Sequence, residues 1–118
     1  FPNEMPILTI KQEMKNCSGI IILGLPQLLI ENCIQKKNTN GEKKILDKEY
    51  PSVWNQIEGA MAYMFDLPIM IIAQKGINDG LFENGTLPVF KNEYNLRSSH
   101  WIERQNFYEP FNEWFDRL

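Results

Sequence analysis

An α/β fold with parallel strands is what this sequence predicts, and three observations carry that reading. Two runs are apolar throughout and of strand length, Gly19 to Leu25 (GIIILGL) and Ile69 to Ala73 (IMIIA). Uninterrupted apolar runs mark strands buried on both faces of a parallel sheet. A helical pattern precedes the first run and another lies between the two, which gives the helix–strand–helix–strand alternation of parallel α/β proteins.

The first element expected is a short helix over Ile7 to Asn16, with Ile7, Ile10 and Met14 on one side and Lys11, Gln12 and Lys15 on the other. Phe1 to Pro6, with two prolines, reads as a tail or linker, and Cys17-Ser18-Gly19 ends the helix ahead of the first strand. Beyond that strand, Leu28 to Ile34 reads as a short amphipathic segment. Gln35 to Lys44 (QKKNTNGEKK) is polar, aperiodic and carries the turn pair Asn40-Gly41. An exposed insertion is expected there, either a solvated loop or a lid, since loops at the carboxyl ends of parallel strands hold ligands in α/β sheets.

The central stretch, Pro51 to Gln74, predicts a helix followed by a strand. Ser52 is placed to cap the helix, and Trp54, Glu58, Met61, Ala62 and Phe65 share one side of it. Leu67-Pro68 stops it, because proline cannot continue a helix and disfavours α geometry in its predecessor. Glu58 is the anomaly on this stripe: burying an unpaired carboxylate is costly. Either it reaches solvent or a cationic partner, or that end of the stripe faces a cleft. Gly59 beside it lacks a side chain, so a backbone or a ligand can approach closely.

After the second strand, Lys75 to Gly85 is rich in turn residues, Leu87 to Phe90 (LPVF) is expected as an edge strand because Pro88 removes a ladder donor, and Lys91 to Gln105 carries no clear pattern. A last helix is expected from Glu109 with Pro110 in its first turn. Phe107, Phe111, Trp114 and Phe115 are spaced to pack as one stripe against the sheet.

The chain of 118 residues fits a single domain spanning 1–118, and a charged fraction of 23% argues against disorder. A net charge of −3 with scattered basic residues excludes the basic face that nucleic-acid binding requires. Cys17 and Cys33 lack metal-ligand spacing and read as reduced, packed thiols of a cytoplasmic protein. His100 stands beside Trp101 with no second histidine or cysteine near it, so no metal is expected. Gly19 to Ile30, the longest apolar run, is too short to span a bilayer, and no signal peptide is evident.

The segment Ser52-Val53-Trp54-Asn55-Gln56-Ile57-Glu58 resembles the S-x-W-x-x-x-E pattern of Toll/interleukin-1 receptor (TIR) domains, in which it opens a helix after an apolar strand. Glu58-Gly59-Ala60-Met61-Ala62 with Leu67-Pro68-Ile69 is also similar to a segment of nucleoside 2-deoxyribosyltransferases. Together these cover roughly Ile7 to Ala73. Asn55 stands where TIR domains carry a cysteine, and the aspartate and Gly-Thr that precede the transferase glutamate are absent. Both families are flavodoxin-like (Rossmann-like) parallel sheets with flanking helices. The resemblance therefore implies the C-terminal portion of such a fold, with an N-terminal β-α-β part lying outside this sequence or supplied by a partner chain.

It further implies an N-glycosidic bond as the target, cleaved as in NAD glycohydrolases. Glu58 would be the catalytic carboxylate, Trp54 a pocket wall or ring-stacking residue, and Ser52 and Gly59 neighbours of the substrate. NAD or another nucleotide would be substrate, with no cofactor. Breaking such a bond builds oxocarbenium character on the ribose, which a fixed carboxylate stabilises or traps. From the residues alone, Trp54 is equally a core side chain and Ser52 a helix cap with no base to activate it. The alternative is a non-catalytic TIR-like signalling module that senses a nucleotide or assembles into homo-oligomers. A structural domain that docks a neighbour through exposed aromatics is a third reading.

Overall fold

A computed structural model describes residues 5–118. The tail expected over Phe1 to Pro6 lies outside the described residues except for Met5 and Pro6. Helix α1 spans Pro6–Lys15, with Pro6 in its first turn, and strand β1 follows at Ile20–Gly24. Strands β2 (Leu28–Gln35) and β3 (Lys43–Tyr50) precede helix α2 (Val53–Met64) and strand β4 (Ile69–Gln74). A 3₁₀ turn at Gly80–Phe82, strand β5 (Lys91–Tyr94), a second 3₁₀ turn at Trp101–Glu103 and helix α3 (Gln105–Asp116) complete the order.

The main sheet is parallel, in the order β1-β4-β5, with Ile22 opposite Ile71 and Ala73 opposite Glu93. Helices flank both faces, the flavodoxin-like arrangement that the two apolar runs predict. Every residue of β4 is buried, and alternation divides its side chains between two cores. Ile69, Ile71 and Ala73 meet Ile10 and Met14 of α1, Ala62 of α2, and Ile77, Leu81 and Phe82 of the following loop. Met70 and Ile72 meet Tyr94 and Trp114 on the α3 side. Each such aliphatic side chain contributes about 1.5–3 kcal/mol through burial, which makes β4 the axis of the molecule.

β1 departs from the expectation of a strand buried on both faces. Ile22 is in the core, but Ile21 and Leu23 remain 41% and 40% exposed. The reason is topological: β1 is an edge strand, and no described strand pairs with its outer side.

The amphipathic segment and polar loop expected between Leu28 and Lys44 are instead an antiparallel hairpin, with Leu28 opposite Tyr50 and Gln35 opposite Lys43. The turn does fall around Asn40-Gly41, but its left-handed residues are Lys36 (φ 54°) and Asn38 (φ 62°). Two contacts pin the arm to the body: Arg97 Nη2 donates to both carboxylate oxygens of Glu49, at 3.1 and 3.0 Å, and Lys48 pairs with Asp79 at 2.9 Å.

The third strand is correctly an edge strand, but it lies at Lys91–Tyr94 and not at Leu87 to Phe90. Pairing with β4 organises these polar residues, and the Asn92 side chain adds a hydrogen bond to the Ile71 carbonyl at 2.9 Å. α3 likewise starts earlier than expected, at Gln105, so Pro110 sits inside it. The aromatic stripe forms as expected: Phe107 stacks on Phe111 (5.5 Å), which contacts Trp114 (5.8 Å) and Phe115 (6.0 Å). Cys17 and Cys33 are free thiols, but Cys17 is exposed and not packed. Among the described residues, no helix is long and apolar enough to cross a membrane.

Candidate functional site

Helix α2 leaves the carboxyl end of the sheet, and its first turns carry the residues singled out from the sequence. Ser52 caps the helix: its Oγ accepts the Trp54 backbone N–H at 3.1 Å. The other end closes without glycine. Asp66 takes a left-handed conformation (φ 57°), its N–H reaches the Tyr63 carbonyl, and the Leu67 N–H reaches that of Ala62, each at 3.0 Å. The helix thus ends at Met64, four residues before Pro68.

The buried face of α2 is turned from the expected stripe. Trp54 and Phe65 are 42% and 37% exposed, while Gly59 and Ala62 are buried. Gly59 sets this rotation. A Cβ there would lie 2.5 Å from Leu81 Cδ2 and 3.2 Å from Ile22 Cδ1. The space that glycine frees is therefore taken by core side chains and not by a ligand.

Gln56 belongs to the site, although neither its residue type nor its spacing singles it out. Its amide donates to the Asp79 carbonyl at 3.0 Å and accepts the Leu81 N–H at 2.8 Å, so it clamps the loop after β4. Gly80 lies between those partners at φ 58°, and a Cβ on it would strike the Gln56 amide oxygen. The sequence signal was the turn triplet Asn78-Asp79-Gly80, which marks the loop but not its clamp.

Glu58 lies two residues beyond Gln56, a rotation of about 200°, and so points to the opposite flank of α2, away from that loop. It is half-buried, and burial pushes its carboxyl above the ordinary range. It takes part in no ion pair or hydrogen bond among the described residues. Glu58 also lines none of the four principal clefts. Among the described residues Glu58 thus lies apart from these four clefts, and Trp54 is partly exposed on the same helix.

The largest cleft, about 790 Å³, opens at the carboxyl ends of the strands between the hairpin tip and the loop after β4. Lys48 from β3 meets Asp79 across it, and that hydrogen bond raises the Lys48 ammonium above its usual value. The second oxygen of Asp79, Oδ2, is buried and has no partner. Lys91 enters from β5 with its side chain 7% exposed, bonded to Glu93 Oε1 at 2.7 Å and to the Ile77 carbonyl at 3.0 Å. These residues come from three distant segments, which is why no local motif announces them.

His100 lies 3.6 Å from Glu103 at the surface, and no group of three His, Cys, Asp or Glu side chains among the described residues is arranged to hold a metal ion. No family model matches the sequence, and neither the curated proteins nor the solved structures provide a match.

Proposed function

We propose that the chain is a TIR-like domain that cleaves the N-glycosidic bond of a nucleotide such as NAD, with Glu58 as the carboxylate that faces the sugar. The observation that carries this reading is the unpaired, half-buried state of Glu58 on the helix that leads into the buried strand β4 of a flavodoxin-like sheet. A carboxylate stripped of part of its hydration and given no cation retains its capacity to stabilise positive charge. The ribosyl oxocarbenium formed as nicotinamide departs is a charge of that kind. Ser52 caps the helix and Gly59 packs against Leu81 and Ile22, so the reading rests on Glu58 and not on these two neighbours. Trp54, partly exposed one turn before Glu58, carries the ring proposed to face the substrate.

The test is nicotinamide release from NAD, followed by chromatography, for wild type and Glu58→Gln. Turnover by wild type and a loss of at least about a hundredfold in the variant are expected, the scale on which a transition-state stabilising group acts. Equal rates in the two proteins would sink the enzymatic reading.

The outer edge of β1, with which no described strand pairs, favours a second reading, a non-catalytic module that assembles with copies of itself. The strand carries no charge or proline to guard that edge, and Ile21 and Leu23 stand exposed beside it. Antiparallel pairing of β1 with β1 of a second copy about a two-fold axis would extend the sheet and cover both. Sedimentation velocity is expected to show a dimer that Leu23→Lys converts to monomer. A wild-type monomer at high concentration excludes this assembly.

A further inference from the structure

We infer that the cleft between the hairpin and the loop after β4 is a binding site for a phosphorylated sugar. It lies beyond the carboxyl ends of the parallel strands, where open α/β sheets hold their ligands. Its volume of about 790 Å³ suits a small molecule. Unlike most ligand pockets it is lined chiefly by charged and amide side chains, so its occupant must itself be polar and charged.

The sign of that charge follows from the ion pairs. Lys36, Lys43, Lys48 and Lys91 line the cleft together with Asp79, Glu83 and Glu93. Lys48 is matched by Asp79 and Lys91 by Glu93. Lys36 and Lys43 have no ion-pair partner among the described residues, against the single unmatched carboxylate of Glu83. The chain as a whole carries −3, so this is a local excess of positive charge in an acidic protein.

Two details give the site shape. Lys36 is held in a left-handed conformation (φ 54°), which is strained for a non-glycine residue, and its stem lies over Gly41, where a Cβ would come within 3.1 Å of its Cδ. Lys91 uses two of its three N–H donors on the Ile77 carbonyl and Glu93, leaving one for a ligand at a site where water has little access. These cations suit a phosphate. Asp79 Oδ2, buried and unpartnered, requires a donor, and a sugar hydroxyl supplies one. A bare anion would leave that oxygen unsatisfied, whereas a neutral sugar would leave the lysines unmatched.

The site is distinct from Glu58, which does not line this cleft, so the two readings stand or fall separately. Calorimetric titration at low salt with ribose 5-phosphate, ribose and inorganic phosphate tests it. Ribose 5-phosphate is expected to bind more tightly than phosphate, and ribose not to bind. The exposed pair Lys36→Ala/Lys43→Ala should keep its melting temperature and weaken ribose 5-phosphate binding by at least about tenfold. Asp79→Asn should weaken ribose 5-phosphate binding and leave phosphate binding unreduced, and Glu58→Gln should change neither. The proposal is overturned by the absence of ribose 5-phosphate binding at millimolar concentration, or by equal binding in the double lysine variant. Phosphate and ribose 5-phosphate binding alike, with no effect of Asp79→Asn, would also overturn it.

Discussion

Tyr94→Phe should destabilise the protein by removing one oxygen atom. Pro110 lies inside α3 and has no N–H, so the Asn106 carbonyl, four residues earlier, lacks its helical donor. The Tyr94 hydroxyl donates to that carbonyl at 2.6 Å, from a strand on the other side of the core. Tyr94 is 5% exposed, and its burial raises the phenol above its ordinary value, so it remains a donor across the neutral range. Phenylalanine keeps the ring contacts, stacked on Trp101 at 5.6 Å and edge-on to Phe107 at 6.2 Å. What is lost is the hydrogen bond, and what remains is a partly buried carbonyl with no partner, a cost of about 1–2 kcal/mol. At about 2.1 cal/mol/K per residue, 118 residues give an unfolding entropy near 0.25 kcal/mol/K, so the melting temperature should fall by about 4–8 °C. Calorimetric melts at neutral pH measure this directly. Repeating the substitution in a Pro110→Ala background isolates the cause, because the restored N–H at position 110 takes over the Asn106 carbonyl. The loss there should be about half as large or less. A Tyr94→Phe melt within about a degree of wild type, or the same loss in both backgrounds, would refute the reasoning.

Glu58→Gln should raise stability at neutral pH and lose that advantage on acidification. The folded carboxyl titrates above the unfolded one, so folding favours the protonated form, and its contribution is full below the unfolded value of about 4.5 and lost as pH rises through the folded value. The gap between variant and wild type in denaturant melts should therefore close as pH falls towards 4.5; a gap independent of pH would show that Glu58 is not desolvated. Gly80→Ala should cost about 2–4 kcal/mol, from its positive φ together with the collision that breaks the two Gln56 hydrogen bonds. Gln56→Ala should relieve the collision, so that the double variant is measurably less destabilised than the sum of the singles in urea titrations.

The parts of the fold that were legible are those whose burial is written in a continuous run. Ile69 to Ala73 can only be an interior strand, and Ser52 can only be useful at a helix start, so β4 and the start of α2 fall where expected. The hairpin was not legible because it packs chiefly against itself. Leu29, Leu46 and Ile34 are exposed on it, so neither face imposes a clean alternation. β5 was misplaced for the opposite reason. LPVF is more apolar than Lys91–Tyr94, yet edge pairing and the Asn92 side chain, not hydrophobicity, select the strand. Pro110 reads locally as a helix start, and only a hydroxyl from a distant strand makes an interior position tolerable. In the site, Glu58 was visible as a carboxylate out of place, whereas Lys36, Asp79 and Lys91 become neighbours only through tertiary structure.

Gln56 and Glu58 bear on whether the carboxylate is architectural. Both are half-buried polar side chains on one helix, two residues apart. Gln56 follows the usual rule for such groups and satisfies its amide on two backbone partners. A structural glutamate in the same setting should have recruited a lysine or arginine, and this protein has twelve of them. Among the described residues the ion pairs draw on Lys48, Lys91, Arg97 and His100, all directed elsewhere. Leaving a carboxyl group partly desolvated without a cation reduces stability at neutral pH. In the function proposed above, the cation that Glu58 lacks in the folded protein is the ribosyl transition state, whose positive charge a carboxylate suits.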